Sequence, residues 1–139
     1  MADVIFEDYT IEVLGAIDSK IDAVMEECAG EMESAVKRNS RVDTGKTKSS
    51  FRHKVTGSFM SGKIEAHIGS NDENAIWEEL GTGEYALQGN GRKGGWFYVD
   101  AKGVGHFTRG KSPSRAFWRA YTSLKDKIIN HIQNSLKGL

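Results

Sequence analysis

The sequence predicts an α+β fold, a small antiparallel-rich sheet packed by a long N-terminal helix and a C-terminal helix. Three observations carry this. Apolar residues recur at steps of three and four over residues 10–38 and again over residues 113–137, the period of one helical face. Between them, residues 63–69 alternate apolar and polar, the period of a strand with one covered face. The five-residue connection Ser58-Phe59-Met60-Ser61-Gly62 is about hairpin length, which makes the pairing antiparallel. At 139 residues the chain fits a single domain spanning residues 1–139, close to the size at which roughly 70% of the unfolded surface is hidden on folding.

The first helix takes its stripe from Leu14, Ile17, Ile21, Val24, Met25, Cys28, Met32, Ala35 and Val36, with carboxylates opposite. It ends in Lys37 and Arg38, so acid lies early and base late, as the helix dipole favours. A helix this long exceeds what a small domain can cover, and part of its stripe is expected to meet a partner. Val42-Asp43-Thr44-Gly45 is a turn signal that opens the sheet region, residues 42–110. Phe51–Gly57 and Lys63–Gly69 read as two strands, on which His53 and His67 are candidates to face each other. Residues 71–80 read as a short helix, capped by Asn71 or Asp72, with Ile76, Trp77 and Leu80 as its apolar face. Residues 81–110 hold nine glycines. Within the glycine-rich loop 84–110, Trp96–Val99 reads as a strand, Val104–Thr108 as a second candidate, and Gln88–Gly95 as mobile. Pro113, the only proline, marks the start of the last helix, with Ser112 or Ser114 as its cap. Phe117, Tyr121, Leu124, Ile128, Ile132 and Leu136 form that helix's stripe.

Composition excludes several classes. The mean hydropathy of −0.49 and the lack of any apolar run near ~20 residues argue against a membrane span. A single cysteine, Cys28, allows no internal disulfide and no Cys-rich zinc site; its place on the apolar stripe predicts a buried small hydrophobe. The start has neither the basic residues nor the apolar stretch of a signal peptide, so the expectation is a chain made and used in the cytoplasm. Zero net charge conceals a division. Residues 1–34 hold ten acidic groups and one basic, a net −9, while residues 35–139 carry +9. Such a chain has the means to attract copies of itself; a merely solvated helix face would produce the same acidic segment.

Two glycine patterns invite a phosphate-binding reading. Residues 105–112, from Gly105 to Ser112, match G-x-x-x-x-G-K-S/T letter for letter. Pro113 then removes an N–H from the first turn, and the remaining 27 residues read as one helix with no strand to supply a magnesium-holding acid. Residues 89–94 fit G-x-G-x-x-G without a strand before or a helix after, which leaves a glycine-rich loop. The four histidines are scattered without metal-ligand spacing. Glu26-Glu27 and Glu78-Glu79 are sequence neighbours that point about 100° apart on a helix, so neither pair is an acid–base couple. No active site assembles, and neither a cofactor nor a metal is expected. Basic residues cluster at Lys37, Arg38, Arg41, Lys46, Lys48, Arg52 and Lys54, and again at Arg92, Lys93, Arg109, Lys111, Arg115 and Arg119. They suit phosphate contact or acidic neighbours, without any motif that reads base sequence.

Several segments, in order, resemble one family. Val42-Asp43-Thr44-Gly45 followed by Ser49-Ser50-Phe51 resembles the V-D-T-G…L…S start of the head–tail joining, or tail-completion, proteins of long-tailed bacteriophages. Ile68-Gly69-Ser70 and then Ala75-Ile76-Trp77-Glu78-Glu79-Leu80-Gly81-Thr82-Gly83 resembles that family's V-G…Y-A…V-E-F-G-T-G segment. Ser112-Pro113-Ser114-Arg115-Ala116-Phe117-Trp118-Arg119-Ala120 resembles its P-A-R-P-F-L-R-P-A segment, with Ala116 where a second proline is usual. The resemblance spans most of residues 42–120. It implies a structural virion protein of the neck, with no catalysis and no cofactor. Its subunits would form a ring, commonly of six, between the head connector and the tail tube or tail terminator. DNA would pass through the channel without sequence readout, and no membrane would be involved. Assembly contacts are then expected at the long N-terminal helix and at Trp77, Glu78 and Glu79. The loop 84–110, with Arg92, Lys93 and Arg109, would reach to the next ring, and Lys111 and Arg115 complete the candidate interface. The alternatives are a DNA-binding accessory protein and a nucleotide-binding enzyme using residues 105–112.

Overall fold

The computed structural model describes residues 7–42 and 45–138. Helix α1 (Thr10–Asn39) is followed by the one-turn helix α2 (Lys46–Ser50) and strands β1 (Phe51–Ser58) and β2 (Lys63–Ser70). Helix α3 (Asn74–Leu80), a 3-10 turn (Gly83–Tyr85), strands β3 (Trp96–Val99) and β4 (Gly105–Thr108), and helix α4 (Ala116–Lys137) complete the chain. The class is α+β, as expected, but the strands form two separate antiparallel hairpins, β1–β2 and β3–β4. The turn signal Val42–Gly45 includes Asp43 and Thr44, which lie outside the described residues.

Helices α1 and α4 lie antiparallel. Asn39 Nδ2 donates to the Ala116 carbonyl (3.2 Å) at one end, and Lys127 meets Glu31 at 2.7 Å further along. The β1–β2 hairpin covers α1, with Phe51 paired to Ser70 and Ser58 to Lys63. That register places Phe51, His53 and Val55 on the covered face together with Ile64, Ala66 and Ile68, while Arg52, Lys54 and His67 face outward. His53 and His67 therefore lie on opposite faces. His53 pairs with Ile68, because the register of a hairpin decides which residues share a side.

The core sits at one end of the molecule. Met32, Ala35, Val36, Phe51 and Ala120 are buried there, with Ile68, Ala75, Phe117, Leu124 and Ile128 packed around them. Two small residues, Ala35 and Ala120, let α1 and α4 approach closely, and Val36 is fully enclosed. Cys28 is buried as expected, and burial pushes its thiol pKa up. The first half of the α1 stripe is only half-covered: Leu14, Ile17, Ile21, Val24 and Met25 stay partly exposed. Ile21, Val24 and Met25 flank an apolar pocket of about 240 Å³, lined on its other sides by Phe59, Ile64 and Ile132 and partly open to solvent. The packing thus loosens steadily away from Val36.

Candidate functional site

Two of the segments that carry the family resemblance, residues 75–83 and 112–120, meet at the core end, where α3 abuts the start of α4. Asp72 begins α3: its Oδ1 accepts the Asn74 N–H (3.1 Å), and Thr47 donates to its other oxygen (2.6 Å). These bonds, the Thr47 hydroxyl first, hold the Asp72 pKa below the usual carboxylate range. Two adjacent carboxylates on α3 then diverge, as their helical spacing requires. Glu79 reaches the first turn of α4 and accepts N–H bonds from Phe117 and Trp118, both 2.9 Å. Glu78 turns the other way and takes the Lys111 ammonium, with the Arg41 guanidinium 3.4 Å from its second oxygen. Arg41 also donates to the Ser112 carbonyl, which ties the end of α1 to the strand entering α4.

Helix α4 accordingly starts at Ala116 and not at residue 113, and its principal cap is Glu79 rather than Ser112 or Ser114. The Ser114 hydroxyl adds a longer contact, accepting the Ala116 N–H at 3.4 Å, while its own N–H donates to the Glu78 carbonyl at 2.8 Å. Arg115 makes the final bend with φ 53°, the one non-glycine residue among those described with positive φ, and its guanidinium lies 5.2 Å from the Trp118 ring. A left-handed residue costs about 1–2 kcal/mol, and a carboxylate bound to two N–H groups at a helix N-terminus is the kind of contact that offsets it.

The Gly105–Ser112 segment is a strand followed by an extended crossing, not a loop wrapped on a helix end. Thr82 N–H donates to the Lys111 carbonyl and Glu84 N–H to the Arg109 carbonyl, both 2.9 Å, so residues 82–84 run beside residues 109–111. Gly83 (φ 60°) is required there: a Cβ would stand 2.2 Å from the Arg109 oxygen. Lys111 is held by Glu78, and the α4 N–H groups are occupied by Glu79, so these residues form no phosphate cradle. Among the described residues no group of three or more His, Cys, Asp or Glu side chains is placed to hold a metal ion. Among those residues no helix is long and apolar enough to cross a membrane.

No protein-family model matches the chain, and no curated protein or solved structure shows detectable similarity to it.

Beyond this junction the glycine-rich segment rises as the β3–β4 hairpin. Trp96 pairs with Thr108, Phe97 with Phe107, Tyr98 with His106 and Val99 with Gly105. Asp100 fixes the connection by accepting the Lys102 and Val104 N–H groups and pairing with His106 at 2.8 Å. The His106 contact leads the causes that hold the Asp100 pKa low. One face carries Trp96 and Tyr98, the latter stacked on His106 at 5.1 Å. The other carries Phe97, Val99 and Phe107, exposed to 68, 62 and 63%. Two glycines leave room for those rings. A Cβ on Gly105 would come within 2.4 Å of the Phe97 ring, and one on Gly95 within 2.6 Å of the Phe107 ring. The result is an apolar face that no described residue covers.

The expected interface residues divide into two groups. Glu78, Glu79 and Lys111 meet at the junction beside Arg115, and all four are engaged within the chain. Trp77 projects from α3 at 56% exposure. Arg92 lies 5.7 Å from the Trp96 ring, Lys93 is exposed in the same loop, and Arg109 stands 3.8 Å from Glu84. The loop 84–110 was expected to make contacts, but Phe97, Val99 and Phe107 were not singled out within it, and Arg41 was read only as one of a basic cluster. The face had a visible signal, the alternation of Phe97 with Val99 beside glycines. The role of Arg41 had none, because it depends on where Glu78 lands.

Proposed function

We propose that this chain is a non-enzymatic ring subunit of a tailed-bacteriophage neck, joining head connector to tail. The observation that carries the reading is the junction itself. The segments that resemble head–tail joining proteins, residues 75–83 and 112–120, lie far apart in the chain yet are linked by Glu78, Glu79, Arg41 and Lys111. Glu79 of the first segment caps the helix that the second begins, and Arg41, from outside both, bridges Glu78 to the Ser112 carbonyl; these contacts would fix the base from which the β3–β4 hairpin projects. An exposed apolar hairpin on a rigid base suits assembly, since a two-stranded hairpin alone is marginal in water and gains by being covered. DNA would be contacted, if at all, through phosphates.

The test is localisation in the intact particle. Antibody fragments against the chain are expected to mark the head–tail junction of virions. Loss of the chain during infection is expected to leave filled heads and finished tails unjoined. Labelling elsewhere, or joined particles without the chain, overturns the assignment. A second reading, a DNA-binding accessory protein, is favoured by Arg52 and Lys54 on the outward face of β1. It predicts duplex binding by the free chain with a steep salt dependence.

A further inference from the structure

Two surfaces of this chain are left open, and they are complementary. The first is the start of α1. Asp18 accepts the Phe59 N–H at 2.8 Å, which places the β1–β2 connection there, and Lys20 lies beside Gly138 just beyond the end of α4. The turns before Asp18 extend past both. Ile11 is exposed to 79%, and Leu14, one turn further along the same face, stays partly exposed. Residues 7–22 hold five acidic groups and one basic, a net −4. The second is the apolar face of Phe97, Val99 and Phe107. Its surroundings are basic, residues 88–109 holding four basic groups and one acidic, a net +3.

These surfaces cannot meet within one molecule. The hairpin is rooted where Arg41 binds Ser112 and Asn39 binds Ala116, at the C-terminal end of α1. The acidic turns are at the other end of the same 30-residue helix, about 45 Å away at 1.5 Å per residue. We propose that the apolar face of the β3–β4 hairpin docks on the first turns of α1 in a second copy of this chain, with Phe97 and Phe107 against Ile11 and Leu14, which share a helical face, and the basic loop against the acidic turns. The contact is head-to-tail: each copy offers a hairpin at one end and a helix start at the other, the arrangement that generates a ring when its rotation closes. The proposal rests on the neck reading for its context and assigns the hairpin to a neighbour in the same ring, not to the next ring.

Sedimentation equilibrium of the full chain at low salt tests it. The wild type is expected to self-associate as its concentration rises, and added salt to weaken this because the flanking charges are exposed. Phe97→Asp and Ile11→Asp, at exposed positions, are each expected to reduce association about tenfold or more. Their mixture decides the geometry. Each variant keeps one intact face, so together they are expected to form a one-to-one dimer and stop there. A mixture that stays monomeric overturns the proposal, as does Ile11→Asp that still dimerises while Phe97→Asp does not, since that is hairpin against hairpin. A wild type that remains monomeric throughout the micromolar-to-millimolar range also overturns it. Should either variant lose its helical circular dichroism, Val99→Asp and Leu14→Asp take their places. Virion labelling judges the neck assignment independently, so a chain that pairs but is absent from necks is told apart from a neck chain that does not pair.

Discussion

Glu79 shows how one residue's role depends on a distant partner. Its two oxygens take the first free N–H groups of α4, 38 and 39 positions further along the chain. Glu79→Ala is expected to cost about 1–2 kcal/mol in urea unfolding, the range of a lost helix cap. Glu79→Gln, which keeps one acceptor oxygen, is expected to lose about half of that. If both variants unfold like the wild type, the cap is not a stabilising contact. His53 is a second case. It lies between Glu33 and Glu26 on α1, hydrogen-bonded to both, and these carboxylates, Glu33 first, raise its pKa. Lys37 and then His53 lower that of Glu33. A raised histidine pKa stabilises the fold below the unfolded value of about 6.5, and that gain fades as pH rises through the folded pKa. The lowered Glu33 pKa works the other way, stabilising above the usual carboxylate range and failing as pH falls through the folded value. His53→Gln is therefore expected to cost about 1 kcal/mol near pH 5.5 and much less near pH 8.5, read from unfolding midpoints at each pH. Equal losses at both would mean that packing, not charge, is what His53 contributes.

At the scale of elements, α1 is one helix with two environments. Its second half holds Cys28, Ala29, Met32, Ala35 and Val36 in the core, while its first turns stand beyond the layer. Hydrogen exchange in dilute protein is expected to be fast before Asp18 and slow from Cys28 onward, because local opening follows burial. Uniform protection along the helix would contradict this. The charge division seen in the sequence also resolves by element. Glu26 and Glu33 bind His53, while Glu27 and Glu31 bind His131 and Lys127, so the acidic groups with no partner in another element concentrate toward the start of α1. The base of the β3–β4 hairpin is the other critical element. Gly83→Ala places a Cβ against the Arg109 carbonyl at a backbone angle that disfavours side chains, and is expected to cost about 2 kcal/mol or more. Its diagnostic is loss of near-ultraviolet signal from Trp96 while helical content is retained.

For the whole molecule, stability is concentrated around Val36 and Phe51, and the opposite end is held by half-exposed side chains around a partly open pocket. Phe51→Ala is expected to cost about 3–5 kcal/mol, as for other buried phenylalanines, a large share of what a domain of this size has in total. Calorimetry at several protein concentrations adds a further check. Association that covers the helix start and the hairpin should raise the midpoint with concentration, since binding only the folded state stabilises it by mass action.

Periodicity alone determined α1 and α4, because a stripe at steps of three and four has no stable alternative to burial on one side; the one-turn helix α2, with no such stripe, was not expected. Periodicity likewise located β1, β2 and the Trp96–Val99 strand, and it put Cys28 inside. The sequence also placed Glu78 and Glu79 on diverging directions, a matter of helical geometry. What it could not determine was every contact between residues far apart in the chain. The register that separates His53 from His67, the Glu79 cap that moves the start of α4 to Ala116, and the split into two hairpins all belong to tertiary structure. So does the placement of the acidic turns and the apolar hairpin at opposite ends of one molecule. Local preference is read over a few residues, whereas these depend on which surfaces remain once the core around Val36 has closed.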